Sequence, residues 1–396
     1  MNYWISVLFR IIPLAMGAIC LGYGWYIWDM GSDANTYVAG HVVLFLSIIC
    51  VALFTTAATI IRQLIHTYSA AFKVALPLIG YVAAAIGIIG GLIFVRSGTG
   101  AEHFVAGHVV FGLGLITCCV STVALSSTKF ILIPSNSKAG PGHHPDQAFS
   151  GGMVALLFAI PIICALIGIV WGIDIVRSDE TPNVVAGHVL AGIGLVCASL
   201  VALVASVVRQ IQNTYSEADR RFWPWLVIIM GTIDILWGLY LLIFQYSPVT
   251  IAPGFVLIGL GIVCYSILSK VLLLALVWRH PYPLAKRIPL IPVLTALTCL
   301  FIAAFLFEAA TINPAYMVPA RVMVGLGGIC FTLFSIVSIL ESGTSSQALG
   351  SLLRRNDLHS PLSDPARTRG QGRLSRSGGT RAASSAFIPE GEPYAA

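Results

Sequence analysis

The same short word occurs three times in this chain. AGH ends on His41, His108 and His188, within YVAGHVVLFLSIIC, FVAGHVVFGLGLITCC and VVAGHVLAGIGLVC. Each triplet opens an apolar run, and acidic residues precede each one: Asp33, Glu102, and the pair Asp179 and Glu180. Histidine is the side chain whose charge ordinarily changes near neutrality, so three at one membrane depth would form a proton-responsive ring. Three converging imidazoles would also suit a metal ion. A bis-histidine haem across the bilayer is disfavoured, because matching histidines do not recur at the far ends of the three runs. The plainest alternative is an interfacial histidine copied along with a glycine that the turn needs. Spacing leaves these readings open, and it commits to no metal and no cofactor.

Asp234 is the second candidate, centred in the apolar string IIMGTIDILWGLY. A carboxylate at mid-bilayer is expensive and should face a partner or a wet cavity. It reads as a proton or cation site, or as a neutral acid bonded across helices, with Lys270 as a candidate partner. Asp174, Glu308 and Arg321 stand close to span ends, where snorkelling or local pairing accounts for them.

The elements that must position these residues follow from composition. Of 396 residues, 57% are hydrophobic and only 10% charged, where a soluble domain carries about 25%. A soluble enzyme, a disordered protein and a nucleic-acid binder are thereby excluded. Crossing the hydrocarbon core takes about 20 mostly apolar residues. Ten such runs are present, near 8–28, 38–61, 74–95, 105–128, 153–176, 184–208, 224–244, 252–277, 289–310 and 317–340. The expected fold is all-α: a polytopic membrane protein of about ten transmembrane helices in residues 1–341.

The ten runs form five tandem helical hairpins, about 8–61, 74–128, 153–208, 224–277 and 289–340. APGFVLIGLGIVC and PARVMVGLGGIC are looser copies of the AGH segments, so the histidine column reads His41, His108, His188, Phe255 and Arg321. Four positions on it reads Phe45, Gly112, Gly192, Gly259 and Gly325, and nine on it reads Cys50, Thr117, Cys197, Cys264 and Cys330. Small residues there let helices approach closely in lipid. The outward helices share a proline, Pro13, Pro77, Pro161, Pro224 and Pro289, expected in a first turn, where its missing N–H has no helical partner anyway.

Sidedness comes from Lys and Arg. One set of connections, with the N-terminus, holds eleven basic residues, among them Arg62, Lys129, Lys138, Arg209 and Arg279; the other holds Arg96, Arg177 and Arg321. Both termini are expected in the cytoplasm. Arg62, Lys129 and Arg209 each follow an AGH histidine by 21 residues, one bilayer crossing at about 1.5 Å per residue, and should cap the inward helices.

All nine cysteines fall within spans and read as packing residues. Trp4, Trp25, Trp28, Trp171, Trp223 and Trp225 read as interfacial belts. No phosphate loop, dinucleotide fingerprint or nucleophile elbow occurs in a suitable context, so no enzyme is expected. Residues 342–396, rich in Ser, Gly and seven arginines, should form a disordered cytoplasmic tail able to touch anionic headgroups.

The AGH repeats, with PLAKRIPLIPV (283–293), GIVCYSILSKVLLLALVWR (261–279) and RVMVGLGGICFTLFSIVSILE (321–341), resemble the YhiM-like family of enterobacterial inner-membrane proteins. The resemblance covers residues 1–341 and implies an inner-membrane protein linked to acid stress, without known substrate or catalytic residues. Residues 222–270 also resemble a hairpin of the acid-resistance membrane protein HdeD, an architectural analogy. The expected function is therefore a membrane protein of acid or envelope stress, sensing external pH or handling protons through His41, His108 and His188. The alternatives are a transporter or channel with Asp234 in its path, and a structural scaffold. Its partner is the lipid bilayer, nucleic acid is excluded, and homo-oligomerisation is left open.

Overall fold

A chain this apolar must satisfy its backbone hydrogen bonds within each segment, which in lipid means helices. The computed structural model describes residues 3–31, 33–64, 67–98, 100–129, 148–178, 180–277 and 286–358. Its ten α-helices are α1 (Tyr3–Asp29), α2 (Ala34–Leu64), α3 (Ala70–Ser97), α4 (Ala101–Ser126), α5 (Gly151–Val176), α6 (Thr181–Ile211), α7 (Glu217–Phe244), α8 (Pro248–Val277), α9 (Leu290–Ala310) and α10 (Met317–Leu358). All ten contain a segment long and apolar enough to cross a membrane, and no strand occurs among the described residues. The basic residues Lys138 and Arg279 of the connections, the polar insert 134–147, Asp179 and residues 359–396 lie outside the described residues.

The helices fall into two shells. In α2, α4, α6, α8 and α10, between 72% and 89% of the most apolar window is buried inside the protein; in α1, α3, α5, α7 and α9 the share is 28–33%. α1, α3, α5 and α7 each pack on the inner helix that follows, at crossings too close for side chains. A methyl group at Gly168 would lie 2.7 Å from Gly194 Cα, and one at Gly87 would lie 2.8 Å from Gly114 Cα. The second crossing pairs Gly172 with Gly187 and Gly238 with Gly254.

The inner helices pack in chain order, α2 on α4, α4 on α6 and α6 on α8. The sequence closes them into a ring through the glycine column. Gly112 receives the Ile193 side chain, Gly192 receives Leu260, Gly259 receives Leu326, and Gly325 receives Leu46. Each knob comes from the next inner helix, and the last returns to the first. Arg321 supports that closure by donating from Nη1 to Thr36 Oγ1 at 3.4 Å. Phe45 stands alone in filling its place in the column.

Two ends can be distinguished, one carrying the AGH triplets and one carrying the basic residues. At the histidine end, Asp33 accepts a bond from Thr36 N at 3.1 Å; its bonds to Thr36 hold the carboxyl below the usual carboxylate range. At the basic end, each capping cation reaches the next outer helix or the segment that leads into it. Arg62 lies 3.6 Å from the Phe72 ring centroid, Lys129 lies 5.6 Å from that of Phe149, and Arg209 pairs with Asp219 at 3.2 Å. Gln63 Nε2 donates to Ser127 O at 2.6 Å, and Gln210 Nε2 to Leu274 O at 3.0 Å, joining α2 to α4 and α6 to α8.

Asp219 is the most connected of these groups. It accepts from Ser216 N at 2.8 Å, Ser216 Oγ at 2.7 Å and Trp223 Nε1 at 3.1 Å, completing a capping box on α7. Asp219→Ala is expected to destabilise the domain by about 1–2 kcal/mol, since it removes the cap and leaves Arg209 only its bond to Thr214 O. Chemical denaturation followed by circular dichroism checks this.

Two expectations change. Pro13, Pro77, Pro161 and Pro224 lie inside their helices, not in a first turn. α1, α3 and α7 begin a turn or two earlier than the apolar runs do, because polar and small residues such as Ser216–Asp219 start them; only Pro289 stands at a helix start, as the N-cap of α9. The last helix does not stop near 340 but continues to Leu358.

Candidate functional site

The three AGH histidines stand in equivalent settings. Each Nδ1 hydrogen-bonds to the carbonyl four residues back: His41 to Tyr37 O at 2.8 Å, His108 to Phe104 O at 2.8 Å, His188 to Val184 O at 2.6 Å. That bond holds a proton on Nδ1 and leaves Nε2 as the basic atom. All three rings are buried, and each meets, edge to face, an aromatic side chain of the next hairpin. Phe94 lies 5.2 Å from His41, Trp171 lies 5.3 Å from His108, and Trp237 lies 5.5 Å from His188, centroid to centroid. The histidines therefore occupy joints between successive hairpins.

They do not converge. Among the described residues no three His, Cys, Asp or Glu side chains gather closely enough to hold a metal ion. Among the described residues His41 alone of the three has titratable neighbours: Tyr37 stacks on it at 4.1 Å and on His103 at 4.7 Å, and His103 pairs with Glu102 at 3.4 Å. Trp28 also meets His41, at 5.8 Å. Trp171, read from sequence as a belt residue, thus also serves a joint. Trp237 escaped notice because it stands well inside an apolar run.

Asp234 is fully buried, and neither carboxylate oxygen has a hydrogen-bond partner among the described residues. It fills the gap between α6, α7 and α8: a methyl group at Gly192 would lie 3.0 Å from Oδ1 and 3.1 Å from Leu260 Cδ1. Its place in the repeat is recognisable. Ile88 N, Ile169 N and Ile235 N face Gly114, Gly194 and Gly261 alike. Asp234 therefore stands where the second and third hairpins have Gly87 and Gly168. In the first and fifth hairpins that place falls to Cys20 and Cys299, whose thiols contact Cys50 and Cys330. Cys264 is the corresponding neighbour of Asp234.

Lys270 is not the partner of Asp234, since no ion pair joins them among the described residues. Lys270 lies six residues beyond Cys264 on the same helix, roughly 9 Å further along at about 1.5 Å per residue. It lines a cavity of about 20 Å³ on the axis of the inner ring, and all five inner helices contribute walls. Eight positions after the histidine column come Ile49, Ile116, Val196, Val263 and Ile329. Twelve positions after it come Leu53, Val120, Leu200, Ile267 and Leu333. Asp234 does not line this cavity. The alternation of three and four between these rings is the spacing of a coiled-coil seam, which could have been read from the repeat once its axial face was known.

Ten spans arranged as a closed ring of hairpins define a multi-pass α-helical membrane protein. The chain belongs to the family described as protein of unknown function (DUF2776), whose profile matches residues 1–345. It is 47% identical over 350 residues to the inner membrane protein YhiM of Escherichia coli (strain K12), a match covering 88% of this chain and 100% of that one. That likeness, with the ten apolar helices, makes it a multi-pass inner-membrane protein. No solved structure matches it.

Proposed function

We propose that this is a proton-responsive inner-membrane protein of acid or envelope stress, in which His41, His108 and His188 are the responsive groups. One observation carries the reading: three histidines in three hairpins make the same Nδ1 bond and turn the same face toward the next hairpin. A proton on Nε2 would set a charge between two hairpins, in a buried joint whose apolar surroundings disfavour it. The protonated form then favours any arrangement in which the joint admits water. In this reading the histidine end faces outward and both termini face the cytoplasm, on the strength of the Lys and Arg bias.

The joints supply their own reporter, because an imidazolium beside an indole quenches its fluorescence. In lipid nanodiscs, intrinsic tryptophan emission should fall as pH is lowered from about 8 to about 5. Replacing His41, His108 and His188 together by glutamine should remove that change while leaving the far-ultraviolet circular dichroism unaltered. Emission that titrates equally in the variant would sink the proposal.

A further inference from the structure

The axial cavity holds a feature that the histidine reading leaves unused. Its walls are Ile, Leu and Val side chains with one exception, Lys270. That lysine is 3% exposed, and no carboxylate pairs with it among the described residues. Fifteen positions after the histidine column, the other four inner helices carry Thr56, Val123, Leu203 and Ile336. An aliphatic side chain would therefore fit the place, and the lysine is an addition to it.

An isolated ammonium in such surroundings costs several kcal/mol unless an opposite charge joins it. The space beside it is the size of one water molecule or one monatomic ion. At the basic end of the ring, Arg62 and Lys129 meet aromatic rings and pair with no carboxylate among the described residues. Of the acidic groups at the histidine end, Asp33 is bonded to Thr36 and Glu102 pairs with His103.

We propose that Lys270 and the axial cavity form a binding site for a small monovalent anion of halide size, centred in the inner ring. Two rings of isoleucine, leucine and valine side chains from the five inner helices wall the site. The site is independent of the histidine proposal, and either can fail without the other.

The test uses the full chain in nanodiscs, with chloride as the probe and gluconate holding ionic strength constant. Chloride should raise the melting temperature of the wild-type protein by about 2–4 °C at saturation, since a ligand that binds only the folded state stabilises it. Chloride-35 resonances should broaden in the same samples and sharpen again when bromide is added. In Lys270→Met, a near-isosteric change that leaves the ring packed, both effects should vanish, and Lys270→Arg should retain part of them. A wild-type protein indifferent to chloride overturns the proposal, because its lysine is then simply uncharged. An equal chloride response in wild type and Lys270→Met overturns it as well, because that marks a general salt effect.

Discussion

Leucine at Gly168 should abolish folded protein, while leucine at Gly22 should leave it unchanged. Both glycines lie in outer helices. Around Gly22 nothing stands within 4 Å of where a Cβ would be, whereas at Gly168 the Gly194 Cα stands 2.7 Å away and the Gly194 N 2.9 Å away. The atoms in the way are backbone, so no rotamer change relieves the clash; α5 and α6 must separate along their whole crossing. Lipid offers no hydrophobic force to restore the loss, because helix association there rests on close van der Waals contact. Typical overpacking in a core costs about 1–3 kcal/mol. Here an entire interface is forfeited, and a cost above about 4 kcal/mol is expected. Monodispersity on size exclusion and the thermal melt of purified protein check it. Comparable melts for the two variants would mean that the crossings do not hold the hairpins together.

That contrast also shows what the sequence could and could not disclose. The inner helices repeat almost word for word, so the histidine, glycine and cysteine columns could be aligned by eye, and the structure uses each of them. The outer helices share little beyond a proline and one variable residue at the crossing, now Cys20, now Gly87, now Asp234. A column made of three residue types does not announce itself. Ring closure was equally hidden, since it depends on Arg321 meeting Thr36 and Gly325 meeting Leu46, pairs separated by most of the chain. Lys270 looked like a partner for Asp234 because both are ionisable and within spans. Only the rotation of α8 shows that one faces the axis while the other sits behind the ring. The prolines misled for a related reason: a hydropathy window marks where lipid begins, not where a helix does.

Asp234→Cys is expected to raise the melting temperature by about 2–6 °C. A carboxyl group buried without a hydrogen bond carries a penalty of about 1–3 kcal/mol, and in a domain of this size each kcal/mol moves the midpoint by about 2 °C or a little more. The replacement has been rehearsed within the chain: Cys20 and Cys299 hold the equivalent places and touch Cys50 and Cys330 as a cysteine here would touch Cys264. Asparagine makes the useful contrast. It keeps the shape of aspartate but buries an amide with two further donors, so Asp234→Asn should melt at or below the wild-type temperature. A gain for cysteine and none for asparagine would show that the protein keeps a costly acid where its own repeats show that a thiol or a glycine suffices. Such a residue is retained for use and not for stability, and the stabilised variant should then lose whatever proton-dependent behaviour the wild type displays. A lower melting temperature for Asp234→Cys would instead identify the carboxyl as a bonded structural group, and the proton or cation role would fall with it.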